Sequence, residues 1–424
     1  MTNILNLLNN SQSSFQVIEN IEKRLIKEKY EKLDEGKEYL IQKGHKYYVV
    51  RNGSSIIAIN VGKKLSKPSL LISASHSDCP SFKIKPEAFI FGKDYLQLNT
   101  EVYGGALLNP WLDRPLSIAG RVLIDNNGIK SVNFVDDEPF CIIPSVCIHF
   151  DRNANKGKEL NPQIDLLPLA SLKNNDFNSY LRKKLNLKKG TIVSYDLYLY
   201  PLTEAINWGM NHEFLSSYHI DNAECAYTTL EGFVNTFNEN NINVYACFDN
   251  EEVGSLTRQG AASDFLKVTI ERISKSLNVD YYSLIANGFM LSCDNAHSVH
   301  PNHPELSDPK NRPEMNKGVV IKQNANQSYT SDGLSIALFK SLLDKAKVPY
   351  QFFTNRSDIR GGSTLGNISN GNVSLLAVDI GLAQLAMHSC FETAGIKDID
   401  YMIKAVNAFY KSTLTIANGT YTLK

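Results

Sequence analysis

The chain opens on apolar residues spaced three and four apart. Ile4, Leu7 and Leu8, then Val17, Ile21 and Leu25, fall on one helical face, and this period predicts helix from residue 4 to about 44. Short apolar runs at 47–50, 55–61 and 69–74 predict strands. Between about 90 and 205 the texture changes. Turn signals at Gly104-Gly105, Asn126-Asn127-Gly128 and Asp136-Asp137 punctuate strand-like runs, and Tyr195-Asp196-Leu197-Tyr198-Leu199-Tyr200 closes the stretch. From 206 onward the two periods alternate. Asp221-Asn222 opens an amphipathic helix to about Phe237, followed by strand 243–248, helix 262–277, strand 287–293, helix 332–345, strand 374–380 and helix 398–414. The alternation predicts an α/β fold, a mixed central sheet flanked by helices on both faces. The expected division is one domain from 1–90 and 206–424, interrupted by a β-rich domain at 91–205.

Composition narrows the partners. With 424 residues, two domains are the default, because a single core stops growing before that length. Lys+Arg and Asp+Glu both number 44, so no net field draws the chain to nucleic acid or to an anionic membrane. The basic run Arg182-Lys183-Lys184 reads as a solvated helix end. No apolar stretch approaches the roughly 20 residues of a membrane span, and the segment from Met1 to Gln16 lacks the basic start and apolar core of a signal peptide. Seven cysteines without a CxxC pair suggest reduced thiols and a cytoplasmic protein, with Cys247 and Cys293 as small core residues.

The candidate chemistry lies where the expected strands end. Asp249-Asn250-Glu251-Glu252-Val253-Gly254-Ser255 directly follows the apolar run ending at Phe248. His76 follows 70–74, Asp294 follows 289–293, and His388 comes shortly after 375–380. Asp221 stands at a helix start, an N-cap type of position. In an open α/β sheet, ligands collect at the carboxyl ends of strands, so these groups are expected to meet on one rim. Two His and three carboxylates, with no thiolate, suit an open catalytic site for two divalent, zinc-like ions, one carboxylate bridging them. Of the paired glutamates, one would hold metal and the other move protons. Asp78, in His76-Ser77-Asp78, is placed to accept the spare His76 N–H. His297-Ser298-Val299-His300-Pro301-Asn302-His303 is a rival cluster, but its spacing, broken by Pro301, is not that of a helical zinc motif, and it reads rather as a substrate loop.

Ordered blocks along most of the chain resemble the aspartyl aminopeptidases, family eighteen of the metallopeptidases, and most closely their bacterial members. They are His76 to Pro80 with Lys85-Pro86, Tyr103-Gly104-Gly105-Ala106 with Trp111 to Arg114, Ile143-Pro144 with His149 and Arg152, and Asp221-Asn222. Asp249 to Ser255, Asp294 to His297 with His300-Pro301-Asn302, Lys317-Gly318 through Tyr329, Gly362-Ser363-Thr364, and Ala386 to Ser389 complete the set. The resemblance implies a two-metal aminopeptidase acting on peptides with a free N-terminus. Zinc is the first candidate metal, with cobalt or manganese as alternatives. His76 and Asp294 would hold one ion, Glu252 and His388 the other, with Asp221 bridging and Glu251 as general base, then acid. The inserted domain would serve dimerisation and as a lid, in a homo-oligomer that in the family is a dodecamer built from dimers. His149 would reach a neighbouring subunit's site to hold the substrate carbonyl, or, on a minority reading, ligate metal. His297, Lys322 and Tyr329 fall on substrate positions, and Lys322 would pair with an acidic first residue.

The chain departs from the family at Ser328, Gly318-Val319-Val320, His219-Ile220 and Ile359-Arg360-Gly361. These positions surround the substrate, so they bear on specificity and leave the ligands and base in place. The same two-metal kit also serves carboxypeptidases and N-deacylases. The rival from another class is an inactive relative kept for assembly or binding, against which the complete ligand set argues.

Overall fold

The computed structural model describes residues 2–92 and 94–424. The first expectation to change is the long N-terminal helix. Two helices form, Thr2–Asn9 and Ser14–Lys27, the second capped by the Ser13 hydroxyl, which accepts from the Phe15 N–H at 3.3 Å. The apolar period stops at Leu25, and Lys29 takes a left-handed φ of 62°, which turns the chain out of the helix. Beyond it come a two-residue strand, Glu31–Lys32, and a loop that buries Tyr39 and Ile41 singly.

Nine strands form the main sheet, in the order Glu31–Lys32, Lys46–Arg51, Ser55–Val61, Asn241–Phe248, Ser69–His76, Gly288–Cys293, Leu376–Gly381, Val319–Lys322 and Tyr350–Phe353. The sheet is mixed, and its central strands Asn241–Phe248, Ser69–His76, Gly288–Cys293 and Leu376–Gly381 run parallel to one another. Their residues are almost all apolar or small because both faces are covered. On one face Tyr245, Leu71, Leu291 and Val378 pack with Phe233 of the helix Ile220–Val234 and with Met402 and Phe409 of Ile396–Lys411. On the other, Val244, Ile72 and Met290 pack with Phe265 and Ile270 of Phe265–Leu277. Val319–Lys322 and Tyr350–Phe353 are two further short strands, not expected from the sequence pattern.

A second sheet is wholly antiparallel, in the order Ile129–Val135, Leu116–Asp125, Thr191–Pro201, Ser81–Phe91, Leu96–Tyr103 and Leu169–Ser171. The strand Ser81–Phe91 already belongs to it, upstream of the expected start at 91. Phe82, Trp111, Ile118, Leu197 and Leu199 form its own core. A third sheet of five short strands includes Phe214–Ser217, Ala383–Leu385 and Glu392–Gly395. No helix among the described residues is long and apolar enough to cross a membrane.

Candidate metal centre

The parallel strands deliver their ends to one place. In the register of the sheet His76 pairs with Phe248, the last strand residue before the glutamates, and Cys293, which precedes Asp294, pairs with Ile380. Glu251 and Glu252 sit on the single 3₁₀ turn Glu251–Val253. Asp221 arrives from the first turn of Ile220–Val234. It is not the cap expected from sequence. His219 takes that position with φ of 63° and without a side-chain cap bond, and Asp221 has non-helical dihedrals.

Two imidazoles face this carboxylate from opposite sides. His76 Nε2 lies 3.5 Å from Asp221 Oδ1, and 4.0 Å each from Asp294 Oδ1 and Glu251 Oε2. His388 Nε2 lies 3.7 Å from Asp221 Oδ2 and 3.4 Å from Glu252 Oε2. Most of these separations are too long for hydrogen bonds. They suit ligands sharing a cation, since two donors about 2.1 Å from a tetrahedral ion stand about 3.4 Å apart. Asp221 Oδ1 is buried and makes no hydrogen bond among the described residues, an expensive orphan unless a cation meets it. Donor atoms come within 4.8 Å of one another in the groups His76–Asp221–Asp294, Asp221–Glu252–His388 and His76–Glu251–Glu252. The first two share Asp221. Nitrogen and oxygen donors of this kind fit zinc-like ions.

Burial and mutual charge set the acidity of the cluster. Burial, with the charges of Asp294, Asp78 and Asp221, pushes the Glu251 carboxyl up to about 8. Burial and the Asp221 charge raise Asp294 to about 6, and the same two causes lift Glu252 well above the carboxylate range. Burial acts the same way on Asp221, but the neighbouring His76 imidazole outweighs it and holds it below the ordinary value. A cation would release these protons.

The surrounding groups orient the cluster. Asp78 Oδ1 accepts the Glu251 N–H at 3.1 Å, and Oδ2 accepts the Glu252 N–H at 3.2 Å and the Tyr103 hydroxyl at 2.6 Å. The spare nitrogen of His76 meets the Asp78 backbone carbonyl at 3.1 Å, with the carboxylate at 3.4 Å. His388 Nδ1 meets the Gly105 carbonyl at 3.0 Å. The preceding Gly104 has φ of +71°, and a Cβ there would stand 3.1 Å from Glu252 Cβ, so only glycine lets this segment close over the site. Glu392, which sequence reasoning missed, accepts the backbone N–H of both Asp221 and His388.

The expected substrate residues are placed unevenly. Lys322 is 2% exposed; its Nζ donates to the Asn295 carbonyl at 3.2 Å, lies 4.0 Å from Asp294 Oδ2, and stands 5.1 Å over the buried ring of Tyr329. His297 is exposed, its ring 6.0 Å from that of Phe353. His149 lies on an exposed turn and is in none of the metal-competent groups among the described residues. His300 and His303 are exposed, their rings 5.3 Å apart, and also stand outside those groups.

Known proteins match this chain along most of its length. The family model described as aminopeptidase I zinc metalloprotease (M18) matches residues 7–410. A probable M18 family aminopeptidase 2 of Clostridium novyi is 43% identical over 423 residues, covering 96% of this chain and 97% of its own. Among solved structures, the Ape4 chain of a complex of Ape4 and Nbr1 superposes with a TM-score of 0.92 at 31% identity, over 97% of this chain and 85% of that one. The S. cerevisiae mApe1 dodecamer gives a TM-score of 0.85 at 25% identity, over 97% and 96%. The chain belongs to the aminopeptidase I zinc metalloprotease family, M18.

Proposed function

We propose that the chain removes the N-terminal residue of peptides at a centre of two metal ions. His76, Asp221 and Asp294 would hold one ion, and Asp221, Glu252 and His388 the other. The observation that carries the reading is the Asp221 carboxylate, whose two oxygens face separate imidazoles at 3.5 and 3.7 Å while Oδ1 has no other partner. When bound, the ions would lower the pKa of water and polarise the scissile carbonyl. Glu251 takes the proton of the attacking water and returns it to the leaving amine. Its carboxyl is 12% exposed at the edge of the cluster, and Asp78 fixes its backbone.

Glu251→Gln tests this. Bound metal should stay at the wild-type ratio while kcat on an aminoacyl chromogenic substrate falls about a hundred- to ten-thousandfold. An active variant sinks the assignment, and loss of metal makes Glu251 a ligand.

Four finer points belong to the same reading. Zinc is the expected native metal, in keeping with the family description. A homo-oligomer is supported by the dodecamer of the mApe1 neighbour, and by the exposed apolar residues Val146, Ile148 and Phe150 around His149. Cytoplasmic placement rests on seven free cysteines, six of them buried. A preference for acidic residues would require Lys322 to leave the Asn295 carbonyl and Asp294, so the buried ammonium favours a role beside Asp294 over one in selecting substrate.

A further inference from the structure

We infer that Glu392 is a positioning residue that couples the two metal-holding positions through their main chains. The inference rests on the two-metal reading above.

Glu392 begins the strand Glu392–Gly395 and is 2% exposed. That strand lies between two antiparallel neighbours, Phe214–Ser217 and Ala383–Leu385. One neighbour leads directly into Asp221, with Ser217 paired to Glu392 itself. The other leads into His388. A single side chain therefore stands where the chain segments of two proposed ligands diverge.

Its two oxygens are divided between them. Oε2 accepts the Asp221 N–H at 3.0 Å, and Oε1 accepts the His388 N–H at 2.8 Å. Gln384 Nε2 adds a longer contact to Oε1 at 3.4 Å. Both segments need holding. His219, two residues before Asp221, has φ of 63°, while Ala386 and His388 have φ of 55° and 68°. Side chains other than glycine rarely adopt this left-handed region, and they persist there only where the surroundings fix them.

The same network continues to the other side of the site. The Asn295 side-chain amide donates to Gln384 Oε1 at 2.8 Å and to Glu224 Oε2 at 3.2 Å, and Asn295 directly follows Asp294. Asp221 bridges and His388 serves one ion alone, so a fault at Glu392 reaches one ion through two of its ligands and the other through only one. The two ions should therefore respond unequally. A purely structural carboxylate would lower stability without this asymmetry.

The test is a titration of metal-stripped protein with cobalt(II), followed by visible absorption, in the wild type and in Glu392→Gln. The amide has one acceptor oxygen, so its NH2 must face one of the two backbone N–H groups. Wild type is expected to bind two equivalents, and a single wild-type equivalent defeats the two-metal reading itself. In Glu392→Gln one equivalent should weaken at least tenfold more than the other, with an altered cobalt band, and kcat should fall while KM changes less than twofold. Glu392→Asp keeps the carboxyl and withdraws it by one methylene, and serves if the amide variant does not fold. Two equivalents of wild-type affinity in either folded variant overturn the inference.

Discussion

Every residue of the strands Ser69–His76, Asn241–Phe248 and Gly288–Cys293 is buried, whereas in Ile129–Val135 of the second sheet only Phe134 is. The first three lie at the centre of a sheet covered on both faces. The last is the edge of an antiparallel sheet with one face open. The two regions divide the work. Fully buried strands cannot shift register without exposing apolar surface, so their ends are fixed points, and His76, Glu251, Glu252 and Asp294 all sit on them. The half-open sheet offers no such fixed rim, and none of the metal-competent groups draws a ligand from it. Its contribution to the site within one chain is Tyr103-Gly104-Gly105, the segment that leaves its strand to meet Asp78, Glu252 and His388.

The sharpest break of this comparison is at Asp221, the one group both proposed ions share. Asp221→Asn should remove bound metal and reduce peptide hydrolysis by about a thousandfold or more, since the ions supply several kcal/mol of transition-state stabilisation. Metal analysis on the folded variant separates it from Glu251→Gln, which should keep its metal. Wild-type metal content in Asp221→Asn would mean that Asp221 is not the shared ligand of the centre.

Core support for the rim comes next in size. Leu291 is fully buried, three positions before Asp294. Leu291→Ala should cost about 2–5 kcal/mol of unfolding free energy in the metal-free protein, from lost burial and the remaining cavity. Chemical denaturation measures it, and a cost below about 1 kcal/mol would deny that these strands are rigid supports.

Much of this was legible in the sequence, and the residues show why. Runs such as 70–74 and 289–293 announce strands buried on both faces, and a His or Asp just beyond such a run stands at a rim. The helix expected to 44 failed because its period ends at Leu25, and the polar residues beyond it set no period. Glu392 was illegible for a different reason. It acts on backbone N–H groups brought together by strand pairings, 217 with 392 and 385 with 393, and no local pattern records such pairings. Lys322 was assigned to substrate by resemblance, whereas its strand, Val319–Lys322, buries all four residues and turns the ammonium toward Asp294.

Acidity distinguishes the two regions again, more gently. In the metal-free protein Glu251 is raised to about 8 from 4.5 and Asp294 to about 6 from 3.8, in each case first by burial. A raised folded-state value means that stability from these groups is intact below the unfolded value and is lost as pH climbs through the folded one. Chelated protein should therefore lose stability at this site between about pH 4 and 8. Metal binding needs the same groups ionised, so affinity should rise over that window, by up to about tenfold per pH unit for each proton displaced. The gap in melting temperature between zinc-loaded and chelated protein should widen from pH 6 to pH 8. A constant gap would show that the cluster's protons are not linked to the metal.

The smallest expected effect tests the open sheet. Ile129 is 64% exposed on the edge strand Ile129–Val135, where its side chain leaves little water on folding. Ile129→Ser should change unfolding free energy by no more than about 0.5 kcal/mol, and hydrolysis and metal content should stay as in the wild type. Set beside Leu291→Ala, it measures how unequally the two sheets hold the fold. The result also bears on assembly. A second copy covering this edge would bury Ile129, and the same substitution would then weaken the oligomer in a concentration-dependent way. Melting at two protein concentrations distinguishes the cases. A concentration-independent change of about 0.5 kcal/mol or less leaves the edge facing water, and a larger, dilution-sensitive loss would place it in an interface and end the contrast between a covered and an open sheet.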